Sequence, residues 1–162
     1  MIDKEDFIAI INEEINKLRV VYPQWPFFSP QLIFFDELFD IPEFAKKYEN
    51  GHTCMLKLDE CLELSDTNCT RIDFEHRSFS SIMIIHDFYL RKSLRNKKLG
   101  RAMLKSLESI AQRLYCNGKI YAKDVTNPGF WEHMGYRPLD NLHGGIWALG
   151  DERKKQLLNE NN

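Results

Sequence analysis

The stretch from His86 to Gly100 concentrates side chains that can hold an anion and move a proton. It reads His86-Asp87-Phe88-Tyr89-Leu90-Arg91-Lys92-Ser93-Leu94-Arg95-Asn96-Lys97-Lys98-Leu99-Gly100, with Arg101 next. Ser80 to Leu90 is strand-like, and Leu99, Met103, Leu104, Leu107, Ile110, Ala111 and Leu114 recur at steps of three and four, so a basic turn joins a strand to an amphipathic helix. The unpaired N–H groups at a helix N-terminus point outward and the dipole adds partial positive charge, so a pyrophosphate can be held there largely by main chain. Arg91, Lys92, Arg95, Lys97, Lys98 and Arg101 add side-chain charge, although a solvated basic turn has the same local composition. His86, whose type titrates near pH 6.5, is the residue here best suited to accept a proton, and Asp87 is the alternative. On a regular strand the two face opposite sides.

The elements that must position these groups follow from periodicity and breakers. Phe7, Ile8, Ile11, Ile15 and Leu18 predict a helix over residues 3–20, with acids crowded into its first turn. From Tyr22 to Phe44, Pro23, Pro26, Pro30 and Pro42 interrupt an aromatic and acidic stretch where no regular element is expected before a short helix from Pro42 to Tyr48. Thr53–Leu58, Thr70–Phe74 and Ser80–Leu90 read as an antiparallel meander. After the second long helix, closed by Asn117-Gly118, come a strand over Ile120–Val125, a short helix over Phe130–Met134 and a strand over Gly145–Leu149. Residues 1–150 are expected to form one domain and residues 151–162 a polar tail.

The chain has 162 residues, 43% hydrophobic and 28% charged, and a formal net charge of -2. That suits a single globular domain, and the lack of a basic surplus disfavours nucleic acid as a partner. The apolar run Ile82–Ile85 falls far short of the roughly 20 residues a membrane helix needs. The acidic start, Met1-Ile2-Asp3-Lys4-Glu5-Asp6, is unlike a secretory signal, and a cytoplasmic location is expected. Cys54, Cys61, Cys69 and Cys116 contain no C-x-x-C pair and are expected as free thiols. The spacing of His52, Cys54 and His76 fits no zinc pattern, so no metal is expected.

The sequence resembles the GCN5-related N-acetyltransferases (GNAT). Arg95-Asn96-Lys97-Lys98-Leu99-Gly100 is similar to their acetyl-CoA loop, R/Q-x-x-G-x-G/A, at its first and last marked positions. His86-Asp87-Phe88-Tyr89-Leu90 occupies the family's lead-in to that loop, and Phe130-Trp131-Glu132-His133-Met134-Gly135-Tyr136 looks like its later aromatic and Gly-aromatic signature. Lys98 stands where the family has its first glycine, and Trp131 where many members carry a tyrosine that protonates the leaving thiolate. An indole N–H is no usable acid. Tyr121 and Tyr136 are the candidate replacements.

The resemblance implies an α/β (α+β) fold with a mixed, mostly antiparallel sheet of about six strands flanked by helices. It implies acetyl-CoA as co-substrate and transfer of its acetyl group to a primary amine, on a small molecule or a protein. His86 or Asp87 would be the base. Main-chain N–H groups near Tyr89 and Leu90 would polarise the thioester. Arg95, Asn96, Lys97, Lys98, Leu99, Gly100 and Arg101 would hold the pyrophosphate, with Tyr89 lining the acyl site or packing half-buried, and Trp131 packing in the core or beside the cofactor. A catalytically silent domain that keeps the fold to bind acyl-CoA or a protein is the alternative, favoured by Lys98 and Trp131. A homodimer is compatible with either. The aromatic and acidic segment Trp25–Glu43 would suit a cationic acceptor, since carboxylates and ring faces both attract cations.

Overall fold

The computed structural model describes residues 2–35, 51–60, 69–123, 127–139 and 145–160. The helix expected from Pro42 to Tyr48 lies outside them, as do Cys61 and the end of the strand expected over Ile120–Val125.

Helix α1, Lys4–Val21, starts where Asp3 accepts the Asp6 N–H at 2.8 Å, and Glu5 and Asp6 sit in its first turn. Its buried stripe is Phe7, Ile11, Ile15 and Leu18, as the periodicity predicts. The proline-rich stretch that follows is not irregular throughout. Phe28–Phe35 forms strand β1, and Pro30 is tolerated because β1 is an edge strand, where a missing N–H breaks no central ladder.

Strands β2 (Gly51–Asp59), β3 (Arg71–Arg77) and β4 (Ile82–Tyr89) continue the antiparallel meander. A 3-10 turn at Lys92–Leu94 and helix α2, Leu99–Arg113, then carry the chain across to β5, Ile120–Ala122. This crossover lets β5 pair parallel to β4. Helix α3 (Pro128–His133), β6 (Tyr136–Pro138), β7 (Trp147–Leu149) and α4 (Asp151–Glu160) complete the described chain. Among the described residues the sheet has seven strands in the order β1-β2-β3-β4-β5-β7-β6, against about six expected, in a single mixed α/β domain.

Residues 151–160 form a helix rather than the expected tail. Leu157 is buried, and Arg153 donates to the buried Glu108 of α2 at 2.7 Å while the Tyr136 hydroxyl donates to its other oxygen at 3.1 Å. One apolar anchor and one satisfied ion pair hold a mostly polar helix against the body. The expectation of free thiols fails at Cys69, which is disulfide-bonded, while Cys54 and Cys116 are free and buried. Pairing depends on proximity in the fold, which sequence spacing does not report.

Helices α1 and α2 run antiparallel on one face of the sheet. Arg113 reaches Glu13 at 2.6 Å and Glu14 at 3.2 Å at one end, and Lys97 meets the Tyr22 hydroxyl at 3.3 Å at the other. Phe7 lies beneath them with its ring centroid 4.7 Å from His52 and 6.5 Å from Phe74. Ile72, Phe74, Met83 and Ile85 join that core, while the alternate residues Arg71, Asp73, Glu75 and Arg77 of β3 fall on the opposite face.

Candidate active site

The site forms where β4 parts from β5. Pairing joins Met83, Ile84 and Ile85 to Ile120, Tyr121 and Ala122, and the Lys123 N–H donates to the Ile85 carbonyl at 2.8 Å. Beyond that point β4 stays paired to β3, and the ladder between β4 and β5 ends, among the described residues, at Ile85 and Ala122.

The loop after β4 ends in an uncapped helix. Lys98, the N-cap of α2, makes no side-chain capping bond, and the first turn holds no acid. The leading N–H groups of α2 therefore meet no acceptor from the cap, which is how a helix N-terminus receives phosphate. Lys98 has φ 61° and ψ 16°, and Asn96 has φ 65°. Lys98 thus takes the left-handed geometry for which the family uses glycine, at a cost of about 1–2 kcal/mol. Arg95 donates from Nε to the Leu90 carbonyl at 2.9 Å, and its guanidinium lies 5.3 Å from the Tyr89 ring centroid. The exposed Asn96, Lys97 and Arg101 surround the same helix start, with Arg101 reaching His133 at 3.0 Å.

Leu99 is a core residue that anchors the turn, and a Cβ added at Gly100 would meet the Phe130 ring at 3.4 Å, an ordinary contact. Arg91 belongs elsewhere. It donates to the buried Asp59 at 3.0 Å and to the Glu60 carbonyl at 2.7 Å, tying the loop's start to the end of β2.

His86 is the extra residue of a β-bulge. Asp73 pairs with Asp87 and Phe74 with Ile85, so His86 opposes no residue of β3. The expected alternation is lost as a result: His86 and Asp87 lie on the same face. The His86 Nε2 stands 2.9 Å from Oε1 of Glu75, which is fully buried and also bonded by Arg77. Burial pushes the Glu75 carboxyl up, but the bonds from His86 and Arg77 outweigh it and hold the group below its ordinary value. An ionised carboxylate only accepts, so Nε2 carries the hydrogen and Nδ1 is the basic nitrogen of the neutral ring. Asp87 is engaged by Arg71 at 3.1 Å and by the Phe88 N–H at 2.9 Å. Asp73, directly opposite, is pushed above its ordinary range by burial and by Asp87, and its Oδ1 is buried with no hydrogen-bond partner.

Asp73 and Glu75 were not among the residues singled out from the sequence. The alternation Arg71-Ile72-Asp73-Phe74-Glu75-His76-Arg77 is the signal that marks them, since a strand with one buried face places all four charges together.

Trp131 takes the core placement, one of the two expected for it, rather than the wall beside a cofactor. It is 0% exposed and packs edge-on against Phe88, Phe130 and Tyr136, so the indole has no surface for a cofactor. The reason is local: Asn127 accepts the Phe130 N–H at 3.2 Å and Pro128 opens α3, which turns the Trp131 side of this short helix inward. Tyr136 is buried with its hydroxyl on Glu108, and burial followed by that carboxylate raises its pKa well above normal. Tyr121, paired with Ile84, shares the His86 and Glu75 face. Burial pushes the Cys54 and Cys116 thiols up to about 12, so neither is a nucleophile at neutral pH.

No described helix is long and apolar enough to cross a membrane. No curated protein and no solved structure matches the chain. The family model of the acetyltransferase (GNAT) family matches residues 24–136. That span runs from Gln24, just before β1, to Tyr136 and includes the meander, the basic loop and α2. The chain belongs to the GNAT acetyltransferase family.

Proposed function

We propose that this domain transfers the acetyl group of acetyl-CoA to a primary amine by direct attack. The observation that carries the reading is the uncapped N-terminus of α2, which follows β4 through the basic loop and begins at Lys98 in the left-handed region. A pyrophosphate fits that helix start, and the pantetheine arm would lie along the end of β4. When bound, acetyl-CoA supplies an activated thioester whose thiolate is a tolerable leaving group at neutral pH without a dedicated acid.

Asn96, Lys97, Lys98 and Arg101, with the first N–H groups of α2, would hold the diphosphate, and Arg95 would brace the loop against Leu90 and Tyr89. Main-chain N–H groups near Tyr89 and Leu90 would face the carbonyl oxygen and stabilise charge developing there. An amine with pKa near 10 attacks only when neutral, so a proton must leave it first. His86 would take that proton, directly or through one water, while Glu75, bonded to its Nε2, would hold the ring and balance the imidazolium. Asp73 and Asp87 would favour a cationic acceptor on the same face. Direct attack, rather than an acyl-enzyme, is supported by the high pKa of both free cysteines.

The test is incubation with acetyl-CoA and a panel of polyamines, aminoglycosides and peptide lysines, read by mass spectrometry. Acetylated product supports transfer. Stabilisation by acetyl-CoA without product from any acceptor supports instead the silent acyl-CoA binder, which Trp131 favours because an indole supplies no hydroxyl at that position.

A further inference from the structure

Asp59 closes β2 with a carboxylate that is 0% exposed, and donors from three separate parts of the chain converge on it. Its Oδ2 accepts the Trp25 indole N–H at 3.1 Å, and its Oδ1 accepts the Thr70 N–H at 2.9 Å and the Arg91 guanidinium at 3.0 Å. A buried carboxylate is tolerated where a cation and hydrogen bonds meet its oxygens, and the groups that meet it are held firmly in return. Asp59 thus fixes Thr70, just before β3, against Arg91, just after β4, although the two are 21 residues apart.

Thr70 makes a second contact with Arg91. It is itself 0% exposed, its carbonyl accepts the Leu58 N–H at 2.9 Å, and its Oγ1 accepts the Arg91 N–H at 3.2 Å. The other end of the same peptide group, the Leu90 carbonyl, accepts from Arg95 Nε at 2.9 Å. A peptide group is planar, so a bond to its N–H and another to its C=O fix its orientation. The group held in this way is the joint between β4 and the basic loop. Resting on the acetyl-CoA reading, we infer that Thr70 is a positioning residue for the co-substrate: its hydroxyl, anchored by Asp59, sets the Leu90–Arg91 peptide and so pre-orders the main-chain N–H groups at the end of β4 and the loop that leads to Lys98. A loop already in its binding geometry loses less freedom when the ligand arrives, and affinity rises by that saving. Thr70 is fully buried, so it acts through Arg91 and not by touching the ligand.

Thr70→Val and Thr70→Ser separate positioning from packing. Valine keeps the branched shape and removes the acceptor, whereas serine keeps the acceptor and removes a buried methyl. Isothermal titration calorimetry of CoA, hydrogen exchange of residues 88–98 without ligand and thermal melts are compared for the three proteins. The expected result is that Thr70→Val binds CoA about fivefold more weakly and exchanges about fivefold faster over residues 88–98. Thr70→Ser should match wild type in both, although its missing methyl lowers the melting temperature. Thr70→Ala removes the same acceptor and replaces valine in the comparison if the valine variant does not fold. Wild-type affinity or wild-type exchange in the variant without the hydroxyl overturns the assignment and leaves the acetyl-CoA reading standing. So does a loss of affinity in Thr70→Ser as large as in that variant, which would make the effect one of packing. If wild type binds no CoA, the acetyl-CoA reading itself fails, and the assignment with it.

Discussion

Asp73 and Asp87 lie directly opposite each other across β3 and β4, two carboxylates in one cross-strand pair. Arg71 neutralises Asp87, while Asp73 keeps a buried oxygen without a partner. A protein that places like charges in register loses stability there, and sites that recognise a cation are where such a loss is tolerated.

Replacing Asp73 with Asn should therefore raise the melting temperature at pH 7. The folded pKa of Asp73 is raised, by burial first and Asp87 second, so its contribution to stability is present at low pH and lost as pH rises through that folded value. Opposed like charges cost up to about 1 kcal/mol, which in a chain of this size is about 2–4 °C. Melts of both proteins at pH 5 and pH 7 check it, with the gap expected to be wider at pH 7. A lower melting temperature for the variant at pH 7 would show that Asp73 makes a favourable contact when ionised. The same variant should weaken binding of a cationic acceptor.

His86→Ala should lower turnover at pH 7 by roughly 10², with much of the loss returning near pH 9 and acetyl-CoA affinity unchanged. A missing base is bypassed when hydroxide supplies neutral amine, whereas a missing packing group is not. A pH-rate profile of both proteins on one acceptor separates the two, and a flat loss at every pH would reassign His86 to structure.

Arg95→Glu should reduce CoA affinity at least tenfold by setting a carboxylate beside the diphosphate. The side chain is exposed, so the fold should survive, and titration calorimetry on a variant of normal melting temperature is the measurement. Unchanged affinity would place the diphosphate away from this loop.

Lys98→Gly should stabilise the protein by about 1 kcal/mol, or about 2–4 °C, because φ 61° strains lysine and not glycine. The larger backbone entropy of unfolded glycine offsets part of the relief. Thermal melts without ligand suffice, and a fall in melting temperature would mean that the lysine side chain contributes more than its backbone costs.

His52 should make the fold sensitive to mild acid. Burial, and next to it the charge of Lys4, lowers its folded pKa below 6.5, so the neutral form is the one that packs against Phe7. For a depressed histidine the unfolded chain binds the extra proton, so stability is full above about pH 6.5 and declines as pH falls below it. The slope from this group is at most about 1.4 kcal/mol per pH unit. Melts between pH 7.5 and 5.5 should show the decline in wild type and a smaller one in His52→Gln. Equal slopes would locate the acid sensitivity elsewhere.

The sequence exposes what repeats or breaks a pattern. The apolar spacing of α1 and α2, the meander and the loop from Arg95 to Gly100 are all periodic or compositional, and the residues around the α2 N-terminus follow from them. Strand β1 was hidden because Pro30 reads as a breaker until the strand is known to be an edge. Helix α4 was hidden because a single leucine, Leu157, and one ion pair from Arg153 hold it. The bulge at His86 is a property of pairing between strands, so the shared face of His86 and Asp87 has no signature in either strand alone. Trp131 matches a family position by sequence, yet the start of α3 at Pro128 turns it into the core.

The pairing of α1 with α2 also carries a cost that the meander does not. Arg113 meets Glu13 and Glu14 across separations of 100 and 99 residues, whereas β3 and β4 are joined through Ser78–Ser81. Closing the long loop costs more chain entropy than closing the hairpin. The ion pairs from Arg113 thus tie distant parts of the chain together, while the hairpin bonds only neighbours.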